Sequence, residues 1–272
     1  MTLSIVIITH NEEANLGRTL ESVKARLYSE GRRNSEEVII VDSGSTDRTI
    51  EIAKSFGAKV FVEEWKGYAA QKNSAIDKAT GDWILSLDAD EAVDPELLKE
   101  IGSALVEQGS IYLRHEPDSP MHVDAFSMPR QNRFLRRPIM HGGFWPDRKI
   151  RLFRKGKGRF AARPVHESVQ VTGRVGKLYG SLIHHSYPTL SDYIEHMNRY
   201  SSLGAEIVVA NGKVRFGVIN IVLRPLATFV YNYFLRLGFL DGREGLLLHL
   251  YHGVYVSWKY AKAWELSRKH SS

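Results

Sequence analysis

The sequence predicts an α/β protein: a mostly parallel sheet covered by helices, followed by a C-terminal helical tail. Three observations predict it. Apolar runs alternate with helical segments through the first hundred residues, three of those runs end in polar turns, and from residue 189 onward the periodicity is helical.

Composition sets the limits. The 272 residues are 43% hydrophobic and 25% charged, enough for a large core plus an appendage. The chain has no cysteine, which excludes disulfides, thiolate metal sites and thiol nucleophiles. Met1 leads straight into an apolar strand without a basic n-region or cleavage site, so a cytoplasmic protein is expected.

Taken in order, Leu3 to Ile8 reads as a strand, followed by the polar turn from Thr9 to Glu13 and a helix carrying Leu16, Leu20, Val23 and Leu27. Val38 to Val41 is a second strand, broken by Asp42 to Asp47, and a second helix is expected from about Thr46. Ala58 to Val62 and Ala69 to Ala79 give a third strand and helix. Trp83 to Leu87 is a strand buried on both faces that stops at Asp88, Asp90 and Glu91. Asp94 and Pro95 are the N-cap and first residue of the next helix.

Parallel strands gather Thr9 to Glu12, Asp42 to Ser45 and Asp88 to Glu91 on one rim, the edge where ligands of such sheets collect. Two carboxylates two residues apart suit a hard divalent cation bound to phosphate. No Gly-x-Gly-x-x-Gly and no P-loop stands at these turns, so a metal is the candidate phosphate partner. From Ala125 short, partly antiparallel strands and loops follow, at 126–129, 148–153, 160–171 and 177–184, and a helix from about Thr189 to Ala210.

Charge is unevenly spread. The net +6 is concentrated between Arg130 and Arg159, where eleven Lys or Arg face one acid, Asp147, and the rest of the chain is net acidic. Such a field attracts a nucleotide diphosphate, an anionic lipid or a nucleic acid. Arg148, Arg151 and Arg154 carry guanidinium forks suited to diphosphate or acceptor phosphate, and Trp145, in a loop of two glycines and two aromatics, suits stacking on a sugar.

The tail begins with twenty largely apolar residues, Phe216 to Leu235, but Asn220, Arg224, Thr228, Asn232 and Arg236 recur every four residues and Pro225 interrupts them. A helix of that kind is expected to lie in a membrane interface, not to cross it. A second helix follows with Leu247, Tyr251, Val254, Trp258 and Ala261 on one side, and Trp264, Lys259 and Lys262 near its end as headgroup anchors. Packing of this hairpin on the preceding domain, or on a second subunit as a homodimer, is the competing expectation. The expected domains are residues 1–212 and the tail 213–272.

Val41 to Thr49 resembles the Asp-Gly-Ser-x-Asp-x-Thr motif of family 2 glycosyltransferases, and Leu87 to Glu91 resembles their Asp-x-Asp strand end. Gln71-Lys72-Asn73 is similar to the family's Arg-Asn segment, with lysine replacing arginine. Asn132 to Phe134, His141 to Asp147, Arg151 to Arg154 and Val165 to Glu167 resemble the lipopolysaccharide core β-glucosyltransferase branch. The resemblance covers roughly Met1 to Ala210. The Gln-x-x-Arg-Trp of processive members is absent, which argues against polymer synthesis.

The resemblance implies a GT-A fold, a nucleotide-diphosphate sugar donor, a divalent metal (Mg²⁺ or Mn²⁺) and inversion at the anomeric carbon. Asp90 would bind the cation and Asp88 the ribose or a metal-bound water, with His166 as a further ligand. Asp42 would accept from the imide of the base, with Thr9, Asn11, Glu12, Ser43, Lys72 and Asn73 around the donor. Glu167 would be the catalytic base. The family's acidic base motif is not literally present, and Glu91 and Asp147 are its rivals. The expected reaction moves one sugar, glucose from UDP-glucose, to a lipid-linked saccharide such as lipopolysaccharide inner core, at the inner face of the cytoplasmic membrane and with no nucleic-acid partner. A polyprenyl-phosphate sugar transferase and a non-enzymatic binder of anionic membrane or nucleic acid are the alternatives.

Overall fold

The computed structural model describes residues 1–27, 36–113, 122–161, 168–212 and 217–269. Packing sorts the chain into two compact units, Met1–Arg130 with Arg148–His184 and Gln131–Asp147 with His185–Ser272.

The first unit begins with the expected alternation: β1 (Leu3–Thr9), α1 (Leu16–Leu27), β2 (Glu36–Asp42), α2 (Thr49–Ser55), β3 (Lys59–Val62), α3 (Tyr68–Lys78), β4 (Trp83–Asp88), β5 (Glu91–Val93) and α4 (Pro95–Leu113). Helix α2 starts three residues later than expected: Asp47 Oδ1 accepts from the Thr49 amide at 3.0 Å in a turn that precedes the helix, and Arg48 is its N-cap. Asp94 caps α4 as expected, accepting from the Leu97 amide at 2.6 Å. Then come β6 (Ala125–Phe134), β7 (Arg137–Pro138), β8 (Asp147–Arg154), β9 (Gly158–Ala161), β10 (Ser168–Val171), β11 (Val175–Lys177) and β12 (Leu182–Tyr187).

The main sheet runs β3-β2-β1-β4-β8-β6-β12-β5, with β11 and β7 attached to β6, while β9 and β10 form a separate antiparallel pair. Strands β3, β2, β1 and β4 are parallel, and β8 joins β4 antiparallel. Alternate residues of the parallel strands bury on opposite faces. Ile5, Ile7, Leu85 and Leu87 pack with Leu16 and Leu20 of α1 and Leu97 of α4, whereas Val6, Ile39, Val41 and Ile84 pack with Ala75 and Ile76 of α3. That two-sided burial is why the strands read as unbroken apolar runs. Register puts Thr9 opposite Asp42 and Ile8 opposite Asp88, so the polar turns do share one rim.

The second unit holds β7 and the ends of β6 and β12 but is mainly helical. Helix α5 (Leu190–Ala210) opens with a capping box between Thr189 and Asp192. Two wide π-type turns, Ile219–Leu223 and Tyr231–Leu235, flank α6 (Arg224–Val230), and a short 3₁₀ turn, Gly238–Asp241, leads into α7 (Gly242–Lys269). Lys262 of α7 donates to Asn198 Oδ1 (2.6 Å) and Ser201 Oγ (2.7 Å) of α5. The packing thus groups α5 with the tail helices, whereas the expected division after residue 212 separates them. The buried side of α7 is also displaced from the expected Leu247-to-Ala261 stripe: Leu248, His249, Val256 and Ala263 are buried, and the five expected residues are half-buried. No described helix is long and apolar enough to cross a membrane.

Candidate active site

The rim is organised by its turns. Asp42, at the end of β2, is fully buried: Oδ1 accepts from the amides of Gly44 (2.9 Å) and Ser45 (2.8 Å), and Oδ2 from the hydroxyls of Thr9 (2.8 Å) and Ser45 (2.5 Å). Its acceptor positions are filled inside the chain, so in this structure Asp42 builds the turn together with the buried Thr9. Ser43, next in the chain, is half-buried and receives the Gln71 amide at 3.3 Å. Asn11, at φ 54°, receives the Thr46 amide at 2.8 Å, and its own amide donates to Ser45 Oγ at 2.8 Å. Glu12 receives Asn15 Nδ2 at 3.0 Å. Burial raises the Glu12 pKa, Asn15 opposes, and Asp90, Asp47 and Asp88 add to the rise.

At the end of β4 the acids meet three cations. Lys72 Nζ lies 2.7 Å from Asp88 Oδ1, and one guanidinium nitrogen of Arg151 contacts Asp88 Oδ2 and lies 2.7 Å from Glu91 Oε1. Glu91 Oε2 receives the backbone amide of Asp88 at 3.1 Å, and Arg130 stands 3.6 Å from Glu91 Oε1. Burial would raise the Asp88 pKa, but Arg151 and then Lys72 hold it far below the ordinary carboxylate range. Burial opposes the charge on Arg151 too, and Asp88 and Glu91 more than restore it.

These contacts correct several expectations. Both Asp88 oxygens are engaged by cations, so in this structure Asp88 is held as an ion-pair partner. Arg151 is buried against acids instead of offering its fork to a diphosphate. Glu91 is sealed from solvent and ion-paired, which removes it as a base. Asn73 spends both ends of its amide on the Phe160 backbone, at 2.9 Å each, and so ties α3 to β9 instead of facing a donor. Arg148 donates to the carbonyls of Ser127 and Leu178 at 2.7 Å each. Arg154 pairs with Trp83 in the sheet, five residues before Asp88 or roughly 17 Å along the strand. Its guanidinium lies over the Trp83 ring, at the edge opposite the rim.

Asp90 is different. Its side-chain partner among the described residues is the His184 ring, Nε2 3.2 Å from Oδ2. Burial would raise its pKa, but His184 outweighs burial and lowers it. His184 reaches Asp90 because β12 pairs antiparallel with β5, placing His184 opposite Glu91. No group of three His, Asp or Glu side chains converges on a common point among the described residues. At the rim, Asp90 and His184 thus form a carboxylate–imidazole pair. His166 and Glu167, the expected third ligand and base, lie outside the described residues.

In the second unit, Trp145 belongs to the loop from Ile139 to Pro146. Asp241 holds this loop, accepting from the amides of Met140 (3.2 Å) and His141 (2.9 Å) and from His141 Nδ1 (2.9 Å). Gly142 (φ 67°) and Gly143 (φ 87°) follow in the left-handed region. A Cβ would lie 2.0 Å from the His249 ring at Gly142 and 2.1 Å from Arg236 at Gly143, so both positions require glycine. Trp145 itself is half-buried.

A sheet of this order with paired acids at its carboxyl edge belongs to the class of nucleotide-sugar transferases with the GT-A fold. The profile of glycosyl transferase family 2 matches residues 4–156. An uncharacterised glycosyltransferase of Rickettsia typhi is 33% identical over 98% of this chain and 88% of its own. The lipopolysaccharide core biosynthesis glycosyltransferase LpsC of Rhizobium meliloti is 31% identical over 97% of this chain and 93% of its own. Among solved structures, mannosyltransferase PcManGT from Pyrobaculum calidifontis, in complex with GDP-Man and Mn²⁺, is similar with a TM-score of 0.53. That likeness, at 14% identity over 96% of this chain and 86% of that one, is one of fold. The chain belongs to glycosyltransferase family 2. The non-enzymatic alternative is set aside.

Proposed function

We propose that this glycosyltransferase moves one sugar, glucose from UDP-glucose, to a lipid-linked saccharide of the lipopolysaccharide inner-core type, with a divalent cation and inversion at the anomeric carbon. The observation that carries the reading is the Asp90–His184 pair beside an Asp88 already neutralised by Lys72 and Arg151. Asp90 with His184 would hold a divalent cation, Mn²⁺ tolerating the imidazole better than the oxygen-seeking Mg²⁺, and donor phosphates and water would complete its shell. When bound, the ion neutralises the departing diphosphate. Similarity to LpsC supports the acceptor class.

The chain's own residues do the remaining work in this proposal. Ser43, with Gln71 behind it, replaces Asp42 beside the nucleobase; Asn11 and Glu12 flank the ribose. Glu167 takes the acceptor proton, with Glu91 sealed away. Trp145 and its loop meet the acceptor. Residues 1–212 serve as the catalytic domain and 213–272 as a tail at the inner face of the cytoplasmic membrane.

The test is a panel of nucleotide sugars assayed for transfer to lipid A carrying a truncated core and, in parallel, to polyprenyl phosphate. Transfer from UDP-glucose to the former supports the proposal, and transfer only to the latter replaces it. In the same assay Glu167→Gln should retain UDP affinity and lower turnover by roughly 10²-fold.

A further inference from the structure

The helix that runs from Ile219 to Leu235 is built inside out. Ile219, Val222, Leu226, Val230 and Phe234, spaced three or four apart, are all exposed, and Leu237, Phe239 and Leu240 continue the exposure through the turn. The uncharged polar residues Asn220, Thr228 and Asn232 lie on the half-buried side instead, with Pro225, Phe229 and Tyr233. That side faces α7: Ser257 Oγ donates to the Ile221 carbonyl at 2.9 Å, and at Gly253 an added Cβ would come within 3.2 Å of the Pro225 carbonyl. A helix washed by water turns its polar residues outward. The sequence contains a polar stripe, and the fold presents the other one.

We infer that residues 218–240 form a membrane-seating surface that lies in the plane of one leaflet, its apolar side among the upper acyl chains of an anionic bilayer. The inference deepens the proposed function, because it rests on that reading for the lipid nature of the acceptor. Charge selects the occupant. The exposed charges in this stretch are Arg224 and Arg236, while the neighbouring acid, Asp241, is buried. An anionic headgroup layer complements two arginines beside an apolar strip. A second copy related by a two-fold axis would present the same apolar strip and the same arginines, with no acid to meet them.

The chain has no cysteine, so single substitutions to cysteine give unique labelling sites. Full-length Leu226→Cys, Phe234→Cys and, on exposed α5, Glu206→Cys would each carry an environment-sensitive fluorophore. They would be mixed with vesicles of phosphatidylcholine, with or without phosphatidylglycerol. The expected result is a blue shift at 226 and 234 with anionic vesicles, none at 206, and partial reversal in high salt. No shift at 226 and 234 overturns the inference, as does an equal shift at 206. A shift without vesicles that grows with protein concentration overturns it in favour of self-pairing. The unlabelled pair Leu226→Ser with Phe234→Ser should lose vesicle co-sedimentation while keeping UDP affinity. The fluorescence reports membrane contact whether or not sugar is transferred, so failure here and failure of the proposed transfer are distinguishable.

Discussion

Arg151 Nη2 sits between the carboxylates of Asp88 and Glu91, 2.7 Å from Glu91 Oε1, and Glu91 closes the ring by receiving the Asp88 amide at 3.1 Å. A buried cation is thereby shared by two acids from the two sides of one chain bend, and the geometry of the Asp-x-Asp turn depends on it.

Arg151→Met leaves the buried Glu91 and the half-buried Asp88 with one partner fewer. Removing one member of a buried ion pair costs about 3–5 kcal/mol, so urea unfolding should shift by that order and activity should vanish. Glu91→Gln keeps the shape and loses one charge, and should lower turnover with a smaller change in stability. Wild-type stability in Arg151→Met would show that the ring is not structural.

Asp42 and Ser43 should part company. Asp42→Ala removes four hydrogen bonds from a buried turn and should destabilise the protein by about 2–4 kcal/mol, given about 1–3 kcal/mol for each buried group left unsatisfied. Ser43→Ala should leave the melting temperature within a degree or two and weaken UDP binding by calorimetry. The reverse pattern would return the base contact to Asp42.

His184→Ala should raise the Mn²⁺ concentration needed for half-maximal UDP binding by tenfold or more, with little change in fold, because it removes one of the two protein ligands proposed. An unchanged Mn²⁺ requirement would move the second ligand to His166.

The rim itself was legible in the sequence. Parallel strands must end together, so Thr9, Asp42 and Asp88 could be placed on one edge from chain direction alone. Which way each side chain turns was not legible: Asp42 points into its own turn, and Asn73 binds the Phe160 backbone, because local hydrogen bonds claim them. The arginines show the same limit. Composition marks the basic stretch, yet Arg148, Arg151 and Arg154 serve carbonyls, acids and an aromatic ring according to their places along β8. That Asp90 is the partner of His184 was not legible for another reason, since a pairing between strands far apart in sequence brings them together. In the tail, periodicity reveals stripes but not which one is covered, and here the cover lies on the polar side.

Acid stability should carry the mark of Glu37. Its carboxylate accepts from Lys59 Nζ (2.7 Å), Ser4 Oγ (2.7 Å) and the Thr80 amide (2.6 Å), and although burial pushes its pKa up, these contacts bring it from 4.5 down to about 2. The folded value is the lower one. Its stabilising contribution is therefore complete above about pH 4.5 and lost as pH falls toward 2. Glu37→Gln should flatten the fall in unfolding free energy across that window, measured by urea titration at successive pH values. An unchanged slope would show that other carboxylates set it.

The most direct measurement of the central claim is sugar transfer from UDP-glucose by the wild type and Asp90→Ala, each stripped with EDTA and then resupplied with Mn²⁺. The account predicts that the wild type falls silent with EDTA and recovers with Mn²⁺, while Asp90→Ala stays folded, fails to recover and shows no Mn²⁺-dependent UDP binding. Full turnover by Asp90→Ala, or by the wild type in EDTA, would contradict it.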